Sequence, residues 1–161
     1  MSILASACAQ RYDDVLVLSV LGGATLQLEN GEIVRLIGVD CPELRDTEKL
    51  NQDAQRMGVS VATLQSCAVS AQEFTRQLVE GKRVRLEFGQ KRRDDRGKLV
   101  AYVFLSDGIF VNGKILENGY GFYSPYPSNR KYETKLEYFS RTAREERRGM
   151  FAMGEFEKRA L

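Results

Sequence analysis

The sequence predicts an α+β fold that is mostly β, namely a five-stranded OB-fold barrel with three helices. Three short apolar runs near the start are joined by Gly22-Gly23 and Asn30-Gly31, and Asn-Gly between alternating runs is a strong hairpin signal. One helical pattern and two more strand patterns follow, and this order of elements is that of an OB-fold. The 161 residues suffice for one domain with its own core.

The individual elements are predicted from hydrophobic spacing and from the residues that end each pattern. Runs rich in β-branched residues predict strands over residues 15–20, 25–29, 32–39, 84–88 and 99–105. Apolar residues spaced three or four apart predict helices over residues 67–78, 111–118 and 129–148. Residues 44–66 are polar and weakly patterned, which predicts a long loop or an irregular helix.

Both ends of the chain differ from the domain predicted over residues 13–151. Residues 1–12 begin with small and apolar side chains, which predicts a signal-peptide remnant or a disordered N-terminus. Cys8 lies within an A-C-A cleavage pattern and is also a candidate for a lipid anchor. We therefore expect export to the periplasm, the cell envelope or the medium, with a cytoplasmic location as the alternative. Residues 152–161 predict a frayed C-terminal tail.

Composition argues against several kinds of site and partner. Histidine is absent and no C-x-x-C spacing occurs, which argues against a zinc site and against a histidine-activated nucleophile. An enzyme of this composition has to use carboxylates for proton transfer. No apolar run is long enough to span a membrane. Residues 82–98 carry eight basic and three acidic side chains, which fits either an anionic partner or a solvated strand face. We expect a monomer.

The stretch I-V-R-L-I-G-V-D-C-P-E, residues 33–43, holds the main candidate site. A strand pattern carries Arg35 and ends at Asp40, and Pro42 fixes a turn before Glu43. Two carboxylates and a guanidinium at a rigid strand exit suit a hard metal ion and a phosphate. The alternative interpretation is that Asp40 and Glu43 are ordinary turn acids and that Arg35 is a paired edge charge.

Four motifs in order resemble the staphylococcal nuclease (thermonuclease) family. Residues 35–43 resemble the family pattern R-[LFV]-x-x-[VI]-D-[TC]-P-E. The likeness continues through the segment D-D-R-G-K-L-V-A-Y-V, the pair V-N followed by N-G-Y, and a basic helix that ends at G-M-F. The motifs cover roughly residues 14–151. The resemblance implies a nuclease-like barrel that uses Ca²⁺ to hydrolyse phosphodiester bonds in DNA and RNA.

The resemblance also implies roles for individual residues. Asp40 is then a calcium ligand, and Cys41 contributes only its backbone carbonyl. Glu43 is the general base that activates water. Arg35 binds the scissile phosphate and stabilises charge as the bond from phosphorus to the 5′ oxygen breaks. Further nucleic-acid contacts are implied for Tyr123, Tyr126, Arg96 and Arg93.

Two positions depart from the family pattern. Residues 22–25 read G-G-A-T where the family has D-G-D-T, so Ala24 stands at the position of a metal-ligand aspartate. Lys98 stands where the family has its second phosphate-clamp arginine, and lysine lacks the planar two-pronged donor. Removing one such interaction costs on the order of 10²–10³ in rate, which predicts impaired activity. Asp13, Asp14, Glu48 and Asp53 are the alternative acids for the metal.

Two non-enzymatic alternatives remain on the same fold. One is a nucleic-acid-binding module that uses the basic segment over residues 82–98 together with Tyr123 and Tyr126. The alternative interpretation of those tyrosines is that they only pack the proline-rich connection onto the barrel. The other alternative is a relic or protein-interaction domain without a nucleic-acid role.

Overall fold

A computed structural model describes residues 12–157 of the chain. The prediction of a signal remnant, with a possible lipid anchor at Cys8, falls almost wholly on residues 1–11 and lies outside the described residues. Tyr12 is already buried, and its ring packs edge-on against Phe88 with ring centroids 5.3 Å apart. The folded domain therefore includes residue 12, one position before the predicted boundary.

Five strands close into a barrel, which confirms the predicted fold class. The strands of the whole structure are β1 (Val15–Gly22), β2 (Thr25–Leu28), β3 (Ile33–Leu36), β4 (Val39–Asp40), β5 (Arg83–Glu87), β6 (Leu99–Leu105) and β7 (Phe122–Tyr123). The barrel order is β1-β2-β3-β6-β5. All its pairs for which a register is defined are antiparallel except β3 with β6, which run parallel. The mixed sheet encloses one core in which six of the seven residues of β6 are buried.

The predicted strand over residues 32–39 is two strands in the structure. Gly38 adopts a left-handed φ of 79°, a conformation that a continuing strand does not tolerate and that glycine allows at no steric cost. The chain leaves the barrel there and forms β4, which pairs with β7 outside the barrel. Asp40 therefore lies on a separate two-stranded sheet.

The described residues contain five α-helices and one 3₁₀ turn. The helices are α1 (Glu48–Met57), α2 (Val61–Val79), α3 (Val111–Glu117), α4 (Glu133–Glu145) and α5 (Gly154–Glu157), with the 3₁₀ turn at Gly149–Ala152. The three predicted helices correspond to α2, α3 and α4. Since α4 ends at residue 145, it is shorter than the predicted span of 129–148.

Helix α1 replaces the predicted loop or irregular helix in residues 44–66. The Thr47 hydroxyl accepts a hydrogen bond from the Leu50 N–H, and Gly58 closes the helix in the left-handed region. Leu50 and Ala54 are buried in a small cluster with Leu64 of α2. The apolar stripe of α1 is narrow, so its sequence pattern is weak although both caps are present.

The described chain continues in packed contact past residue 151, where a tail was predicted. Phe156 of α5 packs against Phe151 with ring centroids 5.9 Å apart. The Glu155 carboxylate accepts hydrogen bonds from the Ser60 N–H and the Thr63 hydroxyl at the start of α2. Aromatic burial and this carboxylate fix α5 to the domain. No helix within residues 12–157 is long and apolar enough to cross a membrane.

Candidate functional site

The turn between β1 and β2 contacts the strand exit that carries the candidate site. The Leu36 N–H donates to the Ala24 carbonyl at 3.0 Å, and the buried Thr75 hydroxyl of α2 donates to the Gly23 carbonyl at 2.7 Å. A Cβ on Gly23 would approach the Cys41 sulfur to 2.7 Å, so this close approach requires glycine. Ala24 and Cys41 thus belong to adjoining backbone segments.

Arg35 is connected to Lys98 through Asp94. The Arg35 side chain is half-exposed, and its Nη1 lies 3.5 Å from Asp94 Oδ2. The Asp94 Oδ1 accepts hydrogen bonds from the backbone N–H groups of Arg96 and Lys98 at 2.9 and 3.0 Å. The loop that carries Lys98 is therefore held beside Arg35. The resemblance gave Asp94 no role, although it lies in a quoted motif.

The parallel pairing of β3 with β6 gives this arrangement its register. Arg35 is the register partner of Val100, and Val34 is the partner of Leu99. Partial burial acts to raise the pKa of Asp94, but backbone hydrogen bonds and the Arg35 guanidinium outweigh it and hold that pKa below its ordinary value. The carboxylate that joins the two candidate phosphate-binding residues is thus ionised at neutral pH.

A lysine from α1 lies beside Asp40. The Lys49 Nζ is 3.5 Å from Asp40 Oδ2 and 2.8 Å from Asp53 Oδ2. Burial acts to lower the pKa of Lys49, but the hydrogen bond that Lys49 donates to Asp53 and the charges of both carboxylates raise it above its ordinary value. Lys49 is therefore an ammonium ion at neutral pH. Sequence reasoning missed this residue because its helix contains few apolar residues and was therefore not identified as a regular helix.

Glu43 is tied to the first turn of the same helix. The Thr47 hydroxyl donates to Glu43 Oε2 at 2.6 Å while it accepts from the Leu50 N–H at 3.1 Å. One hydroxyl thus caps α1 and positions the candidate general base. Glu43 is half-buried, and its Oε1 is the carboxylate oxygen that Thr47 does not bind.

The residues at the strand exit do not fit a calcium site. Calcium takes about six to eight oxygen ligands, yet position 24 offers a methyl group and an ammonium ion lies 3.5 Å from Asp40. Two of the acids named as alternatives are already in ion pairs: Asp53 binds Lys49 and Arg56, and Asp14 binds Arg83. Among residues 12–157, no three acidic or cysteine side chains are grouped to hold a metal ion.

Tyr123 and Tyr126 both pack against the barrel core. The Tyr123 hydroxyl donates to Glu133 at 3.1 Å, and burial together with this carboxylate raises the pKa of Tyr123 to about 12. Tyr126 lies with Gly38 and Leu136 around a small cavity of about 10 Å³. These contacts support the packing interpretation, and a nucleic-acid role of the two rings stays a prediction.

The two candidate arginines of the charged loop, residues 91–98, differ in their environment. The Arg93 guanidinium donates to both carboxylate oxygens of Glu32, at 2.9 and 2.7 Å, so this side chain holds the loop to the residue that immediately precedes β3. Arg96 is exposed, and its backbone N–H is bonded to Asp94. Arg96 is therefore the better placed of the two for contact with an anionic partner.

Comparison with known proteins agrees with the observed fold. A family model described as "Staphylococcal nuclease homologue" matches residues 33–153, which is most of the chain. The chain belongs to the staphylococcal nuclease homologue family. This assignment confirms the predicted family and supports a nuclease-family function.

Two relatives in this family are named thermonucleases. The chain is 35% identical over 130 residues to the thermonuclease of Staphylococcus intermedius, and the alignment covers 79% of the chain and 69% of that protein. It is 28% identical over 152 residues to the thermonuclease of Staphylococcus hyicus, with 92% and 80% covered. The family match contains Arg35, Asp40, Glu43 and Lys98, whereas Ala24 precedes it.

Proposed function

We propose that the protein is a phosphodiesterase that hydrolyses DNA and RNA, with a rate reduced by Ala24 and Lys98. The observation that carries this proposal is the connected arrangement of Arg35, Asp94 and Lys98 beside the strand exit of Asp40 and Glu43. It offers two cations for a phosphate and a carboxylate for a water molecule. Export, predicted from residues 1–12, remains part of the proposal.

Each residue has a defined part in the proposed reaction. Arg35 and Lys98 bind non-bridging phosphate oxygens and stabilise the charge that grows on them. Glu43 accepts a proton at Oε1 from the water whose oxygen attacks phosphorus. The bond from phosphorus to the 5′ oxygen breaks, and the leaving oxygen takes up a proton from solvent. Thr47 orients Glu43 through Oε2.

The proposed reaction depends less on calcium than the family resemblance implies. When bound, a divalent cation supplies charge that stabilises a reacting phosphate. In this chain the donor set is short of one carboxylate, and Lys49 competes for Asp40. We infer that calcium binding is weak, and no step of the proposed reaction depends on it.

A nucleic-acid-binding module is the second candidate. It is favoured by the poor fit of the strand exit to a calcium ion, because binding of nucleic acid needs no metal. The ammonium of Lys49 neutralises Asp40, while Lys98 and Arg96 add basic side chains beside the Arg35–Asp94 pair. Such a surface retains phosphate contacts even where the chemistry is slow. Binding of this kind weakens as salt concentration rises because counterions are released from the nucleic acid.

Cleavage of single-stranded DNA in the presence of calcium tests the choice between the two candidates. We expect slow cleavage by the natural chain and at least a hundredfold loss, on the order seen for lost transition-state contacts, in the Arg35→Ala and Glu43→Gln variants. Variants purified in parallel control for contaminating nuclease. If the natural chain is as inactive as Glu43→Gln but binds the DNA, the enzyme is excluded and the binding module stands.

A further inference from the structure

A cleft of about 500 Å³ opens beside the candidate site. Its floor contains the β4–β7 pair, in which Asp40 is the register partner of Phe122. Its walls come from the end of α1, the end of α4 and the C-terminal segment. The volume lies in the range of small-ligand sites, about 300–1,000 Å³. Because Asp40 lines the cleft, a ligand there lies next to the strand exit.

One wall of the cleft is aromatic. The ring of Phe122 packs edge-on against Phe151, with centroids 5.7 Å apart and an interplanar angle of 80°. Phe156 also contacts the ring of Phe122. Tyr123 follows Phe122 on β7 and is among the residues that line the cleft. Phe122 and Tyr123 are only half-buried. Partly exposed rings of this kind are the surfaces on which nucleic-acid bases stack.

The rim of the cleft is cationic. Arg56, Arg144 and Arg147 line it, and Asp40 is the single acidic residue among the described lining residues. The Arg144 guanidinium lies 5.4 Å from the centre of the Phe151 ring, so its planar group is held beside the aromatic wall. Arg56 is held by Asp53, at 2.8 Å. Guanidinium groups bind phosphate oxygens in two-pronged fashion.

A chain of charges connects this rim to the strand exit. Asp53 is nearly buried and binds Lys49 through one oxygen and Arg56 through the other, each at 2.8 Å. Lys49 in turn contacts Asp40, which offsets the negative charge that Asp40 brings to the cleft. The cleft therefore presents a net positive surface next to an aromatic one.

We propose that this cleft binds one nucleotide of a single-stranded substrate, next to the phosphodiester that reacts. The base lies against the ring of Phe122, and the phosphate of that nucleotide binds Arg144 and its neighbouring arginines. A base in a duplex is stacked and paired, so only an unpaired nucleotide enters. This subsite rests on the proposed nuclease function for its substrate class, and its binding is measurable without cleavage.

The test is a titration of fluorescently labelled single-stranded oligothymidylate, followed by anisotropy in the presence of a chelator. Arg144→Ala removes an exposed guanidinium of the rim, and we expect about tenfold weaker binding, as for loss of a charged hydrogen bond. Arg141→Ala is the matched control, because Arg141 is exposed on the same helix and lies outside the cleft. We expect it to change affinity less than about twofold.

A second variant tests the aromatic wall. Phe122→Leu keeps an apolar side chain but removes the stacking face, and we expect about tenfold weaker binding of the same oligonucleotide. Thermal unfolding verifies that each variant is folded. A blunt duplex of the same length is expected to compete at least about tenfold less well than the single strand, since its bases remain stacked.

The outcomes separate the cleft from the proposed reaction. Equal affinity of the Arg144→Ala and Arg141→Ala variants, or equal competition by duplex and single strand, overturns the subsite whether or not the chain cleaves DNA. Loss of affinity in Arg144→Ala together with absence of cleavage by the natural chain supports the subsite and overturns the phosphodiesterase alone.

Discussion

At the scale of single residues, Lys98 stands where the family resemblance implies an arginine, and one substitution tests whether this lysine limits the proposed activity. The Lys98 backbone is fixed by Asp94, which also binds Arg35. An arginine at position 98 would keep the same backbone hydrogen bond to Asp94. It would add a planar two-pronged donor where the present ammonium acts as a point charge.

We therefore predict that Lys98→Arg raises the rate of DNA cleavage, on the order of tenfold or more, because a bidentate donor stabilises phosphate charge better. The measurement is kcat on single-stranded DNA at saturating substrate. Lys91→Arg serves as the control, since Lys91 is exposed in the same loop and pairs with Asp95. An equal increase in both variants would show a general effect of loop charge instead of a clamp.

Position 49 gives a second prediction at this scale. The Lys49 ammonium lies within 3.5 Å of Asp40, so a cation that binds Asp40 has to displace it or tolerate its repulsion. Lys49→Met keeps the length of the side chain and removes the charge. We expect this variant to bind calcium more tightly than the natural chain, and Ala24→Asp to add to the effect by supplying a carboxylate.

Calorimetric titration with calcium measures both effects. Lys114→Met is the matched control, because it removes an equivalent lysine that pairs with Glu117 on α3. Improved binding in Ala24→Asp but not in Lys49→Met would place the whole defect at the missing ligand. Unchanged binding in the double variant would contradict the idea that the strand exit is a latent metal site.

At the scale of secondary-structure elements, the start of α1 affects both the stability of the fold and the orientation of a candidate site residue. The Thr47 hydroxyl caps this helix and also orients Glu43. The loss of one hydroxyl is therefore expected to affect folding and chemistry together. A cap contributes about 1 kcal/mol to the free energy of unfolding, whereas orientation of the base acts on the rate.

We predict that Thr47→Ala lowers the free energy of unfolding by about 1 kcal/mol and lowers kcat on DNA more than it changes KM. Denaturant unfolding and steady-state kinetics measure the two effects. Thr47→Ser retains a hydroxyl and is expected to restore both. A variant that loses stability but keeps its kcat would show that Thr47 is only a helix cap.

Sequence reasoning succeeded for elements whose signal is local. The turn at Asn30-Gly31, the five strand patterns and the helical pattern between the third and fourth of them predicted the barrel. It failed at Gly38, because an apolar run continues across the residue whose positive φ ends the strand. It also failed at α1, where the buried stripe consists of Leu50, Asp53 and Ala54 among exposed neighbours.

Only those residues of the candidate site that lie within one sequence motif could be predicted as a group. Arg35, Asp40 and Glu43 stand close together in the sequence, so a strand exit was enough to group them. The contact of Lys49 with Asp40 depends on the packing of α1, and the cleft depends on α4 and the C-terminal segment meeting β7. No spacing in the sequence contains these tertiary distances.

At the scale of the whole molecule, the distribution of charge decides how nucleic acid binds. The net charge is only +2, so a uniform surface would attract a polyanion weakly. Many basic residues are already neutralised within the fold, as Arg93 is by Glu32 and Arg83 by Asp14. The cations proposed for phosphates lie in two places, around Lys98 and Arg96 beside the Arg35–Asp94 pair and at the rim of the cleft with Arg144.

This distribution predicts a binding affinity with a modest but defined salt dependence. For single strands, the slope of log affinity against log salt is about −0.7 for each phosphate contacted. We expect Arg96→Ala to make this slope less steep by about 0.7, because an exposed guanidinium leaves the surface. Arg76→Ala, which removes an arginine paired with Glu73 on α2, is expected to leave the slope unchanged. An equal change in both variants would mean that the anion is attracted by total charge, and then neither the charged loop nor the strand exit would define where nucleic acid binds.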